Sequence, residues 1–178
     1  QVYNLTDTAL AGHLLGSAAL AEIGATAALY GLIMNFAFGM NNGLALTVSR
    51  CFGAGEREGI RRAVGWMVTL SAAVSIVLTT VSLLGRGALL QVLQVPAEVW
   101  DGAAAYLTVI LLGIPLTMLY NMEAALLRAV GNSVTPLLFL LFSSVLNVGL
   151  DAAFMGPLGM GVRGAAVATV LAQGISAV

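Results

Sequence analysis

A chain of 178 residues with 60% hydrophobic and only 8% charged residues cannot coat itself like a water-soluble domain, in which about a quarter of the residues are charged. A net charge of −1 with no basic run argues against a nucleic-acid partner, and the single Cys, Cys51, excludes a disulfide framework and a Cys-rich metal site. The class that remains is a polytopic membrane protein.

Crossing a hydrocarbon core of about 30 Å takes about 20 apolar residues. In chain order, residues 1–12 read as the end of one span. A second span covers 18–50, around the charge-free run 23–49, and a third covers 60–84, within which the charge-free run begins at residue 63. A fourth covers 97–128 around the charge-free run 102–122, a fifth covers 135–155, and a sixth covers 162–178. The pattern predicts an all-α, six-helix transmembrane bundle with its first and last helices truncated. Gln1 opens the chain with no Met and no charged leader, so a signal peptide is not supported and the chain reads as a piece of something longer.

The connections carry turn chemistry. Gly53-Ala54-Gly55-Glu56-Arg57-Glu58-Gly59 is a polar glycine-rich turn, and Gly131-Asn132-Ser133 closes the fourth span ahead of Pro136. The second and fourth spans both end in Arg-x-x-Gly, Arg50 to Gly53 and Arg128 to Gly131, which predicts an Arg against the negative helix end and a glycine in a left-handed cap. Residues 86–95 are expected to lie along the membrane interface. All seven basic residues are Arg. Five of them, Arg50, Arg57, Arg61, Arg62 and Arg128, fall on one side of the membrane, and two, Arg86 and Arg163, on the other. The positive-inside rule puts the first group in the cytoplasm.

The polar residues inside the spans are the informative ones. An Asp near the centre of a span costs about 2.5–3.5 kcal/mol, so an intramembrane Asp is read as functional by default. Asp7 lies in the first span and Asp151 in the fifth; Tyr3 with Asp7, and Asn147 with Asp151, are spaced one helical turn apart and share a face. At 1.5 Å per residue, Asp151 comes about 6 Å from the outer edge of the core, Thr169 about 9 Å and Asp7 about 8 Å from it. Two carboxylates, an amide, a hydroxyl and a phenol at one depth suit a hard cation or a proton shared between acids. The alternative is that each Asp caps a helix or snorkels near its own interface.

Four segments together resemble the multidrug and toxic compound extrusion (MATE) transporters, the DinF-like bacterial branch in particular. They are Tyr3-Asn4-Leu5-Thr6-Asp7-Thr8, Leu127-Arg128-Ala129-Val130-Gly131-Asn132-Ser133 with Pro136, Asn147-x-x-x-Asp151, and Gly161-Val162-Arg163-Gly164-Ala165-Ala166-Val167-Ala168-Thr169. The resemblance implies that residues 1–178 are the N-terminal transmembrane lobe of a twelve-helix transporter whose C-terminal lobe is absent here. It implies a multi-pass protein of the cell inner (plasma) membrane that is not an enzyme and exports cationic or amphipathic compounds in exchange for Na⁺ or H⁺. No cofactor is implied beyond that coupling ion, and the partners are a small-molecule substrate, the lipid bilayer and the second lobe. The family's cation site maps onto Asp7, Asn147, Asp151 and Thr169, which could ligate Na⁺, with Tyr3 beside them. Tyr106 and Asn121 of the fourth span map onto cavity-lining positions. Glu123 departs from the family pattern and is expected to form a structural ion pair with a nearby Arg.

Other functions remain in view. A lipid-linked oligosaccharide or lipid flippase of the same superfamily would show more basic residues along its cavity. A membrane enzyme would show a catalytic cluster near one interface, and a passive subunit would not need buried acids on separate helices. Gly159-Met160-Gly161-Val162-Arg163-Gly164 spells a dinucleotide fingerprint without the preceding strand that such a site needs. Gly39-Met40-Asn41-Asn42-Gly43 contains GxxxG and is expected to mark close helix packing.

Overall fold

The computed structural model describes the backbone of residues 2–177 and the side chains of residues 8–177. The chain forms α1 (Val2–Leu15), α2 (Ser17–Gly53), α3 (Arg57–Leu84), a short α4 (Arg86–Val92), a 3₁₀ turn (Ala97–Val99), α5 (Trp100–Leu112), α6 (Ile114–Ala129), α7 (Val134–Met155) and α8 (Val162–Ser176). α2, α3 and α7 are each long and apolar enough to cross a bilayer alone, and α5 with α6 passes the same test as one bent span. The protein is an all-α membrane bundle.

Its surface confirms the solvent. Leu137, Leu138, Leu141, Phe142 and Val145 of α7 all lie open, as do Trp66, Ile76, Val77 and Val81 of α3. In water such faces would drive aggregation; in hydrocarbon they cost nothing. The interior is built from smaller residues. α8 buries Ala165, Ala166, Ala168 and Ala172 completely, so neighbouring helices can approach it closely.

The expected fourth helix, 97–128, is not continuous. It breaks at Gly113, and α5 and α6 meet at a bend of 47°. The cause is local. Pro115 has no N–H to give the Leu111 carbonyl, and its ring crowds the preceding turn. The Gly113 N–H bridges the break by reaching both the Val109 carbonyl at 2.9 Å and the Ile110 carbonyl at 3.1 Å. Gly113 is needed for a second reason: a Cβ there would overlap the Val170 side chain of α8. The broken span is thereby pressed against α8 at the kink.

The two Arg-x-x-Gly ends differ from each other. At α6 the left-handed residue is Gly131 (φ 84°), with its N–H on the Arg128 carbonyl at 3.0 Å and the Asn132 N–H on the Leu127 carbonyl at 2.9 Å. At α2 the helix runs through Gly53, and the left-handed residue is Gly55 (φ 69°), with the Glu56 N–H reaching the Cys51 carbonyl at 3.0 Å. The expectation for Gly53 is therefore corrected by two residues. Asn132 then starts α7 by accepting the Thr135 N–H at 3.1 Å. The GxxxG expectation is also corrected: Gly39 and Gly43 are exposed with nothing within 4 Å of a would-be Cβ. Close packing occurs instead at Gly164, where a Cβ would stand 3.0 Å from Phe154 Cβ and 3.1 Å from the Phe154 carbonyl carbon. The glycines of the false dinucleotide fingerprint thus make the α7–α8 turn (Gly159 φ 59°, Gly161 φ 60°) and the tight seam behind it.

Candidate functional site

α7 carries Ser143, Asn147 and Asp151 at four-residue intervals, and all three are fully buried. Four residues is one turn, so they form a single polar stripe on one face. α8 returns antiparallel after a turn of six residues, 156–161, and presents Thr169 and Gln173, also one turn apart and buried. The stripes meet where Asn147 Nδ2 donates to Thr169 Oγ1 at 3.2 Å. Antiparallel register from that pair sets Asp151 opposite the small Ala165, one turn nearer the end that carries Arg163. It sets Ser143 opposite Gln173, one turn nearer the end that carries Arg50, Arg57, Arg61, Arg62 and Arg128, here termed the Arg-rich end.

The stripe continues onto the broken span. Thr117 Oγ1 of α6 donates to Gln173 Oε1 at 2.6 Å, and one turn further Asn121 Nδ2 donates to the Thr117 carbonyl at 2.8 Å. Asn147 Oδ1, Ser143 Oγ and Gln173 Nε2 are buried without a hydrogen-bond partner among the described residues. An unpaired buried polar group costs about 1–3 kcal/mol, and more where no water can reach it. Three of them along one seam mark a place made for something polar rather than a packing defect.

The sequence-selected residues are distributed as follows. Asn147 and Thr169 are in direct contact, and Asp151 extends the same face. α1 packs against α7 and α8, but the side chains of Tyr3 and Asp7 lie outside the described residues. Tyr106 of α5 is buried in an apolar core with Tyr30, Ile110, Met155, Val162 and Ala166, so it stands behind the Asp151 end of the stripe. Asn121 lines a separate cavity of about 300 Å³ with Met34, Asn35, Phe38, Tyr120 and Arg128. Tyr106 is not part of that cavity's wall. Arg128 there is engaged by its neighbours: it donates to Asn42 Oδ1 at 3.2 Å and stacks over Phe38 at 5.7 Å from the ring centre.

Glu123 is a correction. Among the described residues it forms no ion pair, and it lines a cavity of about 520 Å³ with Phe139, Phe142, Ile175 and Ser176. Arg128, the basic residue five positions on, points the other way, toward Asn42 and Phe38. Sequence reasoning also missed Ser143, Thr117 and Gln173. Their signal was available, since each is polar inside an apolar span and each sits one turn from a residue already selected.

Fold and stripe together define a polytopic bundle with a polar site buried between helices, the arrangement of a membrane transporter. The family model MatE matches residues 1–153, and the chain belongs to that family, the MATE proteins. It is 31% identical over 98% of its length to the "Probable multidrug resistance protein YpnP" of Bacillus subtilis (strain 168) and 29% identical over 99% to the "Probable multidrug resistance protein NorM" of Thermotoga maritima. Among solved structures it superposes with a TM-score of 0.93, at 28% identity over 99% of its length, on an inward-facing multidrug resistance MATE family transporter of the MOP superfamily. A MATE crystal structure in the bent conformation matches with the same TM-score and identity over 98% of the chain. The chain spans 39% of the length of each of these two curated relatives.

Proposed function

We propose that this chain is the cation-binding lobe of a secondary active antiporter that exports cationic or amphipathic compounds in exchange for Na⁺ or H⁺. The observation that carries the reading is the buried Asn147–Thr169 contact at 3.2 Å, with Asp151 one turn away on the same face and Asn147 Oδ1 unpaired among the described residues. An amide whose nitrogen is held by a hydroxyl and whose oxygen is free is fixed in the orientation that a cation needs. Asp151 supplies the charge, Asn147 and Thr169 supply neutral oxygens, and Asp7 with Tyr3 on α1 completes the set. A group of this composition suits a hard monovalent cation, and a carboxyl pair suits a proton equally well.

The Arg-rich end faces the cytoplasm of the plasma membrane in this reading, so Asp151 lies in the outer half and fills from outside. Substrate occupies the cavity lined by Asn121, Tyr120 and Phe38, where flexible Met34 and the aromatic rings accommodate varied shapes. The second lobe of the transporter closes the other side of that cavity. Cation binding changes the balance between lobe arrangements only through its differential affinity for them. The test is dye export by the full-length protein, in vesicles with Na⁺ and pH gradients imposed separately. Asp7→Asn and Asp151→Asn, at matched protein levels, should export at background rate while still binding dye. Wild-type export from both variants would sink the reading.

A further inference from the structure

The polar stripe does not stop at the cation ligands. Resting on the antiport reading above, we propose that the coupling cation leaves Asp151 toward the Arg-rich end along the α7–α8 seam. It passes through a hydrated site between Ser143 and Gln173 and is received by the carboxylate of Glu123.

Ser143 and Gln173 are each fully buried, and Ser143 Oγ and Gln173 Nε2 are unpaired among the described residues. The Asn147–Thr169 contact places the two residues opposite one another, one turn inward of the cation ligands. The Gln173 amide oxygen already accepts from Thr117, which pins the amide and leaves Nε2 as its end without a partner among the described residues. A buried water typically makes about three hydrogen bonds, and here it has an amide donor, a hydroxyl of either sense and the unpaired Asn147 Oδ1 within one turn. The same hydroxyl and amide oxygens can help replace the hydration of a passing Na⁺, and the water can carry a proton.

The next turn inward is open. Phe139 precedes Ser143 by one turn on α7, Ser176 follows Gln173 by three residues on α8, and both line the 520 Å³ cavity that holds Glu123. From Asp151 to Phe139 is twelve residues of one helix, about 18 Å. An antiporter must deliver its cation on the side opposite to the one it loads from. A neutral hydrated station followed by an unpaired carboxylate provides successive resting points across a low-dielectric interior. It also accounts for an acid in the inner half of a span with no basic partner among the described residues.

The experiment uses the full-length protein in proteoliposomes, with ²²Na⁺ influx and an internal pH dye as separate arms and ethidium export as the common readout. Glu123→Gln and Gln173→Leu should slow cation delivery and ethidium export roughly tenfold, with the midpoint for cation binding at equilibrium within about twofold of wild type. The arm that slows identifies the travelling ion. Gln173→Asn, which keeps the amide but shortens it, stands in if Gln173→Leu does not fold. Wild-type delivery in Glu123→Gln overturns the proposal. So does a midpoint shift that matches the loss of rate, because the residues would then belong to the binding site itself. Asp7→Asn and Asp151→Asn are the controls: wild-type export from both sinks the antiport reading, whereas a dead Asp151→Asn beside a wild-type Glu123→Gln sinks the path alone.

Discussion

Two of the helix pairs that bury polar side chains in this bundle treat them differently. Between α2 and α3, Ser71 Oγ donates to Asn41 Oδ1 at 2.9 Å, and Asn41 Nδ2 donates to the Ala37 carbonyl at 2.9 Å. The contact is closed, since amide oxygen, amide nitrogen and hydroxyl all have partners. Between α7 and α8, Asn147 binds Thr169 through its nitrogen, and among the described residues Asn147 Oδ1, Ser143 Oγ and Gln173 Nε2 have no partner. Both contacts hold an Asn that is fully buried. An intramembrane polar residue therefore does not announce its role by identity or burial. Satisfaction is what distinguishes the two contacts, and a cluster of unpaired buried dipoles is costly enough to point to a mobile partner.

The sharpest way to break this comparison is to delete each amide. Asn41→Leu leaves the Ser71 hydroxyl without its partner in a buried contact and should cost about 1–3 kcal/mol of stability, with the cation-binding midpoint unchanged. Thermal unfolding in detergent measures the first and cation titration the second; a shifted midpoint would show that the closed contact is not mere glue. Asn147→Ala should do the reverse. Under the proposed antiport a water would replace one neutral ligand, so coupling of export to the cation gradient should weaken by about threefold, while stability falls by no more than the roughly 0.6 kcal/mol average for an interhelical hydrogen bond in a membrane. A large stability loss with intact coupling would make Asn147 structural. The smallest effect on transport is expected at Ser71→Ala, which leaves export untouched and costs about 1 kcal/mol of stability, because Asn41 Oδ1 loses its donor while Asn41 Nδ2 keeps the Ala37 carbonyl. Ethidium export at the wild-type rate is the check.

The spans were legible because the bilayer imposes a length, and an apolar run such as 23–49 meets it without a single charge. Asn147 and Asp151 were legible for the complementary reason, that charge and amide in hydrocarbon are expensive. The break at Gly113 was not read, although Gly113-Ile114-Pro115 spells it. Hydropathy ignores the missing N–H of a proline, and the span on either side is equally apolar. Glu123 was misread because an acid near Arg128 in sequence suggests a pair, whereas the two point to opposite sides of α6, one into each cavity. Gln173 sits one turn from Thr169, a spacing visible in the sequence; its contact with Thr117 of α6 is not, and shows only once α6 and α8 have been laid together.

The contact between Gly113 and Val170 carries a consequence for how this sequence can drift. Each position occupies space that the other would need, so the two share a single allotment of volume. In a combinatorial library randomised at both positions and selected for folded, membrane-inserted protein, an alanine at position 113 should survive only beside alanine or glycine at 170. Valine at 170 should hold position 113 at glycine. The bend between α5 and α6 would then be inherited as a pair of letters 57 positions apart, and not as the local Gly-x-Pro signature by itself.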